Sequence, residues 1–313
     1  MLYSLLKIPA RVALPFYTKH VKVSHPEMLK RSGPILLACN HPNAFLDAVI
    51  LSTIFNKPIY ALARGDAFKS KRADKLLRMM NMLPIHRLSE GSDHLQDNYK
   101  TFDSCLEIFK QGGIVLIFSE GKCVNEWKLR PLKKGTARLA ITAWQSGIDL
   151  TVIPVGLNYH SYRDFGKTVY VNFGDAMEKE SFPGMVADGS GIKIFNEKLA
   201  SALKELVFES NDPEEIATFF SRNSNHQNPL RYLTLPGKWL HLPLYFPLKK
   251  LSLKILPDVD FYDSVLIGML TILYPLYLAS IAWLVFTLAG GWYWTLVFLI
   301  LPLLALLYVK AKK

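Results

Sequence analysis

The chain has 313 residues, of which 50% are hydrophobic, and it carries a formal net charge of +11 at pH 7. This length accommodates one sizeable α/β domain together with membrane-embedded sequence, and the basic excess predicts an anionic partner, either nucleic acid or a membrane surface. The three cysteines, Cys39, Cys105 and Cys123, form no Cys-x-x-Cys pair, which argues against a zinc site or a disulfide framework.

The N-terminal segment, residues 1–29, begins with an apolar run that Lys7 and Arg11 interrupt. The uninterrupted stretches are too short for the apolar core of a secretory signal. Leucines and valines with interspersed cations are typical of a segment that rests on a membrane interface, and a helix packed on the next domain explains them equally well.

A buried strand followed by a helix is predicted next. The apolar run 34–39 indicates the strand, and Pro42 keeps His41 out of the helical region, so we expect His41 in the turn after the strand. Asn43 can cap the helix that follows, which places Asp47 in the early turns of that helix.

The spacing of His41 and Asp47 predicts a general base with its orienting acid. A carboxylate bonded to one ring nitrogen fixes the tautomer and leaves the other nitrogen free to take a proton from a hydroxyl. The alternative is a structural histidine and an acid that the helix macrodipole stabilises. Cys39 is predicted to be a small buried hydrophobe rather than a nucleophile.

The same alternation of strand and helix continues through a domain that we place at residues 30–225. It predicts an α/β fold with a mostly parallel sheet flanked by helices. An amphipathic helix at 193–209 and a shorter helix from Pro213 complete the domain. Strands are predicted near residues 34–39, 58–63, 82–86, 113–119, 151–157 and 168–173, and helices near 44–55, 66–80, 92–111 and 134–147.

Three short blocks in this domain carry further candidate residues. Taken singly, Arg87 and Glu120 are most often members of surface pairs, which are worth about 0–1 kcal/mol. Pro154 more often marks a bulge or a sheet edge than a substrate contact. The blocks are Pro84-Ile85-His86-Arg87, Phe118-Ser119-Glu120-Gly121 and Val152-Ile153-Pro154-Val155.

Together with His41 and Asp47, these blocks occur in the order of the motifs of the glycerolipid acyltransferase superfamily, whose members acylate glycerol-3-phosphate or lysophosphatidic acid. Residues 30–175 resemble that family. Lys134-Gly135 falls where the family often has a Lys-Gly pair after the glutamate block.

The resemblance implies a mechanism without an acyl-enzyme. His41 would deprotonate the acceptor hydroxyl, Asp47 would stabilise the imidazolium, and the hydroxyl would attack an acyl thioester directly. Glu120 would orient the acceptor or hold a cation, Gly121 would let the backbone approach the ligand, and Arg87 would bind a phosphate. No metal or cofactor is implied, and acyl-CoA or acyl carrier protein would be the donor substrate.

The chain departs from the family pattern in three places. Five residues rather than four separate His41 from Asp47, as in fungal-type glycerol-3-phosphate acyltransferases, and Ser119 replaces a proline. Lys122 and Cys123 follow the glutamate block, where the family usually has threonine and arginine. A phosphate-binding cation is therefore missing from its usual place. The candidates to replace it are Lys122, Arg130 and Lys134.

A connector, residues 226–263, leads from the domain to the C-terminal tail. Prolines, aromatic residues and lysines alternate in it, which predicts a segment in the membrane interface, where each cation contributes about 1 kcal/mol near an anionic leaflet. Packing beneath the domain is the alternative. Asp258, Asp260 and Asp263 lie at its end, and the sequence indicates no chemical role for them.

The tail, residues 264–313, is predicted to form a transmembrane hairpin. Residues 264–286 and 292–309 contain no charged residue, and each stretch is long enough to span hydrocarbon. Pro275 and Pro302 leave a buried or re-entrant hairpin as alternatives. Basic flanks place both ends on the cytoplasmic side, so we expect a bacterial inner-membrane protein with a cytoplasmic active site.

These features predict a membrane-bound O-acyltransferase that acts on 1-acylglycerol-3-phosphate in phospholipid synthesis. The apolar tail favours an anionic membrane over nucleic acid as the surface partner. Glycerol-3-phosphate and lyso-amino-acid lipids are alternative acceptors. Thioester hydrolysis by the same base is an alternative enzymatic function. An inactive lipid-binding membrane scaffold is the non-enzymatic alternative.

Overall fold

The computed structural model describes residues 2–86, 95–221, 234–255 and 259–311. Arg87, Asp258 and the terminal Lys312 and Lys313 lie outside these residues. Within them a seven-stranded sheet has the order β1-β7-β6-β2-β5-β3-β4. The strands are β1 Thr18–Val23, β2 Ile35–Cys39, β3 Ile59–Arg64, β4 Met82–Ile85, β5 Ile114–Phe118, β6 Thr151–Tyr159 and β7 Lys167–Phe173.

Helices cover both faces of the sheet and form the C-terminal part of the chain. The bounds are α1 Leu2–Tyr17, α2 Ala44–Ile54, α3 Lys71–Met79, α4 Leu95–Lys110, α5 Lys134–Gln145, α6 Gly189–Leu206, α7 Pro213–Ser221, α8 Leu235–Ile255, α9 Tyr262–Ala289 and α10 Val297–Ala311.

The predicted architecture, a mostly parallel sheet flanked by helices, is confirmed. The neighbouring strands in the sheet are parallel except for the antiparallel pair β6 and β7. On β2, Leu37 and Cys39 pack on the face covered by α1, α2 and the start of α9, whereas Leu36 and Ala38 pack on the face covered by α4, α5 and α6. A parallel strand with both faces buried needs a continuous apolar sequence, which is why this strand is predictable.

Strand β1 departs from the expectation for residues 1–29, which assigned no strand there. It pairs in parallel with β7 at the edge of the sheet. Four of the six residues in its sequence, Thr-Lys-His-Val-Lys-Val, are polar, and most of its residues are only partly buried. Edge strands commonly carry such cations, so a search for apolar runs misses this one.

Helix α1 packs on the domain through its cations. Lys7 Nζ donates to the Phe55 carbonyl at 2.7 Å, and Arg11 Nε donates to the Thr53 carbonyl at 2.8 Å. These carbonyls lie at the C-terminal end of α2, where cations are favourable. Helix α1 is therefore a packed helix, with the apolar side chains of Leu5, Ile8 and Val12 exposed.

Helices α9 and α10 form a hairpin, as predicted for the tail, and its crossing of a membrane stays a prediction. The segments Tyr262–Ala289 and Tyr293–Ala311 are long and apolar enough to cross a membrane. Gly290 and Gly291 have φ values of 63° and 61°, the left-handed region that glycine enters without strain. Few residues of the two helices are buried, but α9 begins two residues before the predicted start, and its first turn is buried against the domain.

Candidate active site

The candidate site lies at the carboxyl ends of β2 and β5. Cys39 and Phe118 are paired in register at the ends of these parallel strands, and each strand is followed two residues later by a candidate residue, His41 or Glu120. Because parallel strands end at the same edge of a sheet, the topology brings these residues together, as it does in many α/β sites.

His41 and Asp47 contact each other as the sequence predicts. His41 Nδ1 lies 2.9 Å from Asp47 Oδ2. The Asp47 side chain is completely buried in the first turn of α2, whereas the His41 side chain is 17% exposed. Because an ionised carboxylate only accepts hydrogen bonds, Nδ1 carries the proton and Nε2 has the free lone pair.

Two further donors fix the Asp47 carboxylate. Oδ2 accepts the Asn43 N–H at 2.8 Å, and Oδ1 accepts the Tyr159 hydroxyl at 2.6 Å. The His41 ring stacks on Phe118, with centroids 3.7 Å apart. The base and its acid are thus held in one geometry before any substrate binds, the condition under which positioned groups are most effective.

Glu120 connects the His41 turn to the loop that follows β5. Its Oε2 accepts the His41 N–H and its Oε1 accepts the Arg130 N–H, each at 2.9 Å. Burial raises the pKa of Glu120, and the two backbone hydrogen bonds oppose that shift. The structure therefore gives Glu120 a positioning contact with His41. The contact with the acceptor that the resemblance implies stays a prediction.

The three candidate cations that the structure describes are not gathered around the dyad by side-chain contacts. The Arg130 guanidinium pairs with Glu126, Nη1 to Oε1, at 2.9 Å. Lys122 and Lys134 are exposed, in the loop after β5 and at the start of α5. Arg87 lies outside the described residues. The predicted phosphate contacts of these four residues therefore stay predictions.

Gly121 has φ +66°, so its backbone conformation favours glycine. A Cβ there would lie 2.8 Å from Lys133 Cγ. The glycine thus lets the chain turn sharply after Glu120. Its predicted close approach to a ligand is not tested by this geometry.

Several residues that support the site were missed by the sequence reasoning. Tyr159 donates to Asp47, and the Asn40 side chain exchanges two hydrogen bonds with the backbone of Leu157, at 3.0 and 2.7 Å. Asn40 follows β2 directly and Tyr159 ends β6, so the signal for both was a polar group at the carboxyl end of a strand. In the described residues, no group of three or more His, Cys, Asp or Glu side chains is placed to hold a metal ion.

The cysteines are buried, in agreement with the structural role predicted for Cys39. Desolvation raises the pKa of the Cys39 and Cys123 thiols, and it raises the pKa of Cys105 to about 12. Cys123 Sγ accepts the Ala44 N–H at 2.9 Å, beside the His41 turn. A thiol that keeps its proton is a poor nucleophile.

We expect the stability of the fold to fall as the pH rises above about 8.5, where thiols in the unfolded chain lose their protons. The buried thiols hold their protons more tightly in the folded state, so their contribution is complete below the unfolded pKa and is lost above it. Thermal unfolding in detergent between pH 7 and 10 measures this effect. Rapid alkylation of native Cys39 at pH 8, as fast as in the unfolded chain, would contradict this burial.

Comparison with known proteins bears on the region that contains this site. Residues 20–158 match the family model described as Acyltransferase. The match includes the dyad, Glu120 and all three blocks.

One solved structure similar to the chain is the 1-acyl-sn-glycerophosphate (LPA) acyltransferase PlsC from Thermotoga maritima. The similarity covers 60% of this chain and 72% of that chain, with 14% sequence identity and a TM-score of 0.39. No curated protein matches the chain.

Proposed function

We propose that the protein is a membrane-bound O-acyltransferase that moves a fatty acyl group from an acyl thioester to a hydroxyl of 1-acylglycerol-3-phosphate. The observation that carries the proposal is the His41–Asp47 contact of 2.9 Å at the carboxyl ends of the strands, in the region that matches the acyltransferase family. The choice of acceptor follows from the resemblance of the four motifs to those of the glycerolipid acyltransferases.

The reaction uses the free nitrogen of the dyad. His41 Nε2 takes the proton of the acceptor hydroxyl while the hydroxyl oxygen attacks the carbonyl carbon of the thioester. The tetrahedral intermediate then breaks its C–S bond, and the leaving thiolate takes the proton from the imidazolium. Asp47 stabilises the imidazolium that forms between these steps.

The chain around the dyad supports a hydroxyl acceptor with an anionic group. Lys122 and Lys134 are exposed in the segment that follows Glu120, and the whole chain carries a net charge of +11. Arg87 ends a block whose position matches the substrate-binding arginine of the family. In this proposal these cations hold the phosphate, because Arg130 is already paired with Glu126.

A membrane location agrees with the exposed surface of the C-terminal helices. Trp239 and Phe246 of α8 are exposed, as are Trp283 and Phe286 of α9 and three leucines of α10. Soluble monomers rarely expose so large a contiguous apolar surface. In the proposal this surface contacts lipid, the active site faces the cytoplasm, and acyl-CoA or acyl carrier protein delivers the acyl group there.

The test is transfer of a labelled acyl group by the purified chain in anionic phospholipid vesicles. Acyl-CoA and acyl carrier protein are each offered with lysophosphatidate, glycerol-3-phosphate or a lyso-amino-acid lipid, and Asp47→Asn serves as the matched inactive variant. We expect labelled phosphatidate from lysophosphatidate, with little product from Asp47→Asn.

Other outcomes would overturn the proposal in different ways. Product from only one of the other two acceptors would reassign the substrate. Free fatty acid without acylated lipid would identify a thioesterase. Binding of the lipid without any product from well-folded protein would identify a lipid-binding scaffold.

A further inference from the structure

The first turn of α9 reaches the candidate active site through Asp263, an acid for which the sequence indicates no role. Its side chain is buried, and the residue is 1% exposed. Oδ1 accepts the Tyr17 hydroxyl at 2.5 Å, and Oδ2 accepts the side-chain amide of Asn43 at 2.7 Å. The buried Lys167 ammonium forms an ion pair with the same oxygen. Asp263 thus joins α1, β7 and the turn that carries His41.

That turn depends on contacts from outside α2. Ala44 has φ +45°, a left-handed conformation that is unfavourable for a residue with a Cβ. Its N–H is held by Cys123 Sγ, and the Leu46 N–H donates to the Ser264 hydroxyl at 3.1 Å. The loop after β5 therefore supports one side of the turn, and the start of α9 supports the other.

Asn43 connects the carboxylates of Asp263 and Asp47. Its backbone N–H donates to the Asp47 oxygen that contacts His41, and its side-chain amide donates to Asp263. Asn43 Oδ1 has no hydrogen-bond partner in the part of the chain that the structure describes. The bond to Asp263 therefore orients the amide and, with it, the backbone group that holds Asp47.

We propose that Asp263 is a positioning residue for acyl transfer, which holds the Asp47–His41 pair in place through Asn43. This inference rests on the proposed function of that pair. Lys167 balances the charge of the buried carboxylate, so Asp263 can accept all three donors without an uncompensated charge in the core. The residue that anchors the apolar hairpin to the domain also fixes the geometry of the base.

Two double variants separate the effect of the Asn43–Asp263 hydrogen bond from that of the Lys167–Asp263 ion pair. Lys167→Met with Asp263→Asn removes both charges but keeps an oxygen that can accept from Asn43. Lys167→Met with Asp263→Leu removes the charges and the acceptor. We expect kcat of the leucine variant to be at least about tenfold below that of the asparagine variant, because small displacements of catalytic groups cost up to about 10²-fold in rate.

The expected signature is a change in kcat while KM for the acyl thioester stays within about twofold. Tyr17→Phe is the matched control, because it removes another donor to Asp263 and leaves Asn43 in place, so its kcat is expected near that of the wild type. Equal kcat values for the two double variants would overturn the inference. A fall in kcat for Tyr17→Phe as large as that of the leucine double variant would also overturn it.

If the leucine variant does not fold, Asn43→Ala tests the same link with the ion pair intact. It is expected to lower kcat by a similar factor, and an unchanged kcat would overturn the inference. A readout independent of activity is the rate of His41 modification by diethyl pyrocarbonate, which we expect to rise several-fold when the link is broken. Absence of acyl transfer by the wild type would overturn the proposed function alone, whereas an unchanged modification rate would overturn the positioning role.

Discussion

Replacing His41 by alanine is expected to lower kcat for acyl transfer by about 10²- to 10⁴-fold, the usual contribution of a general base. The Nε2 atom that takes the hydroxyl proton is lost, while the surroundings of Asp47 remain. Asp47 keeps its hydrogen bonds from Asn43 and Tyr159, so the fold should persist. KM should change little, because the base contributes mainly to the transition state.

Steady-state kinetics with a fixed acceptor and a varied acyl thioester measure this effect. His25→Asn is a suitable control because His25 is an exposed histidine with φ +49°, a conformation that asparagine tolerates. The control is expected to keep the activity of the wild type. A His41→Ala protein with kcat within about threefold of the wild type would show that another group removes the proton.

Replacing Lys167 by methionine is expected to destabilise the protein by about 3–5 kcal/mol, because the substitution leaves a buried carboxylate without its counter-charge. Lys167 and Asp263 have no exposed side-chain surface and form an ion pair between β7 and α9. The hydrogen bonds from Tyr17 and Asn43 compensate only part of the loss. The prediction is checked by the midpoint of thermal unfolding in detergent.

The double variant Lys167→Met with Asp263→Leu distinguishes charge burial from a general loss of packing. Replacing a whole buried ion pair by apolar residues of similar volume is often neutral or stabilising. We therefore expect the double variant to regain part of the stability that the single variant loses, because the Tyr17 hydroxyl and the Asn43 amide lose their acceptor in it. A double variant as unstable as the single one would mean that packing, rather than the unpaired carboxylate, causes the loss.

The fold was predictable where the burial of a strand or helix is visible in the apolar pattern of its own sequence. Strands such as β2 and β5 lie between two layers of helices, and their continuous apolar runs show this directly. Strand β1 lies at the edge of the sheet and has a mostly polar sequence, so its pairing with β7 depends on contacts between segments far apart in the chain. Periodicity within a short window carries no information about such contacts.

The same distinction applies to the site. His41 and Asp47 are six residues apart, so the turn after β2 and the start of helix α2 determine their contact. The local sequence was therefore sufficient to predict this contact. Tyr159 and Asp263 lie 112 and 220 residues from the groups that they bind, Asp47 and Asn43. Their roles follow from strand order and from the packing of α9 on the sheet, neither of which the sequence pattern specifies.

The most direct test of the proposed mechanism is thiol release from an acyl thioester, followed with and without the lysophosphatidate acceptor. Direct attack by the acceptor hydroxyl predicts that wild-type protein releases thiol only when the acceptor is present, in equal amounts with the acylated product, and that His41→Ala releases almost none. Thiol release at the same rate without acceptor, or an unchanged rate in His41→Ala, would contradict base-catalysed transfer by the His41–Asp47 pair.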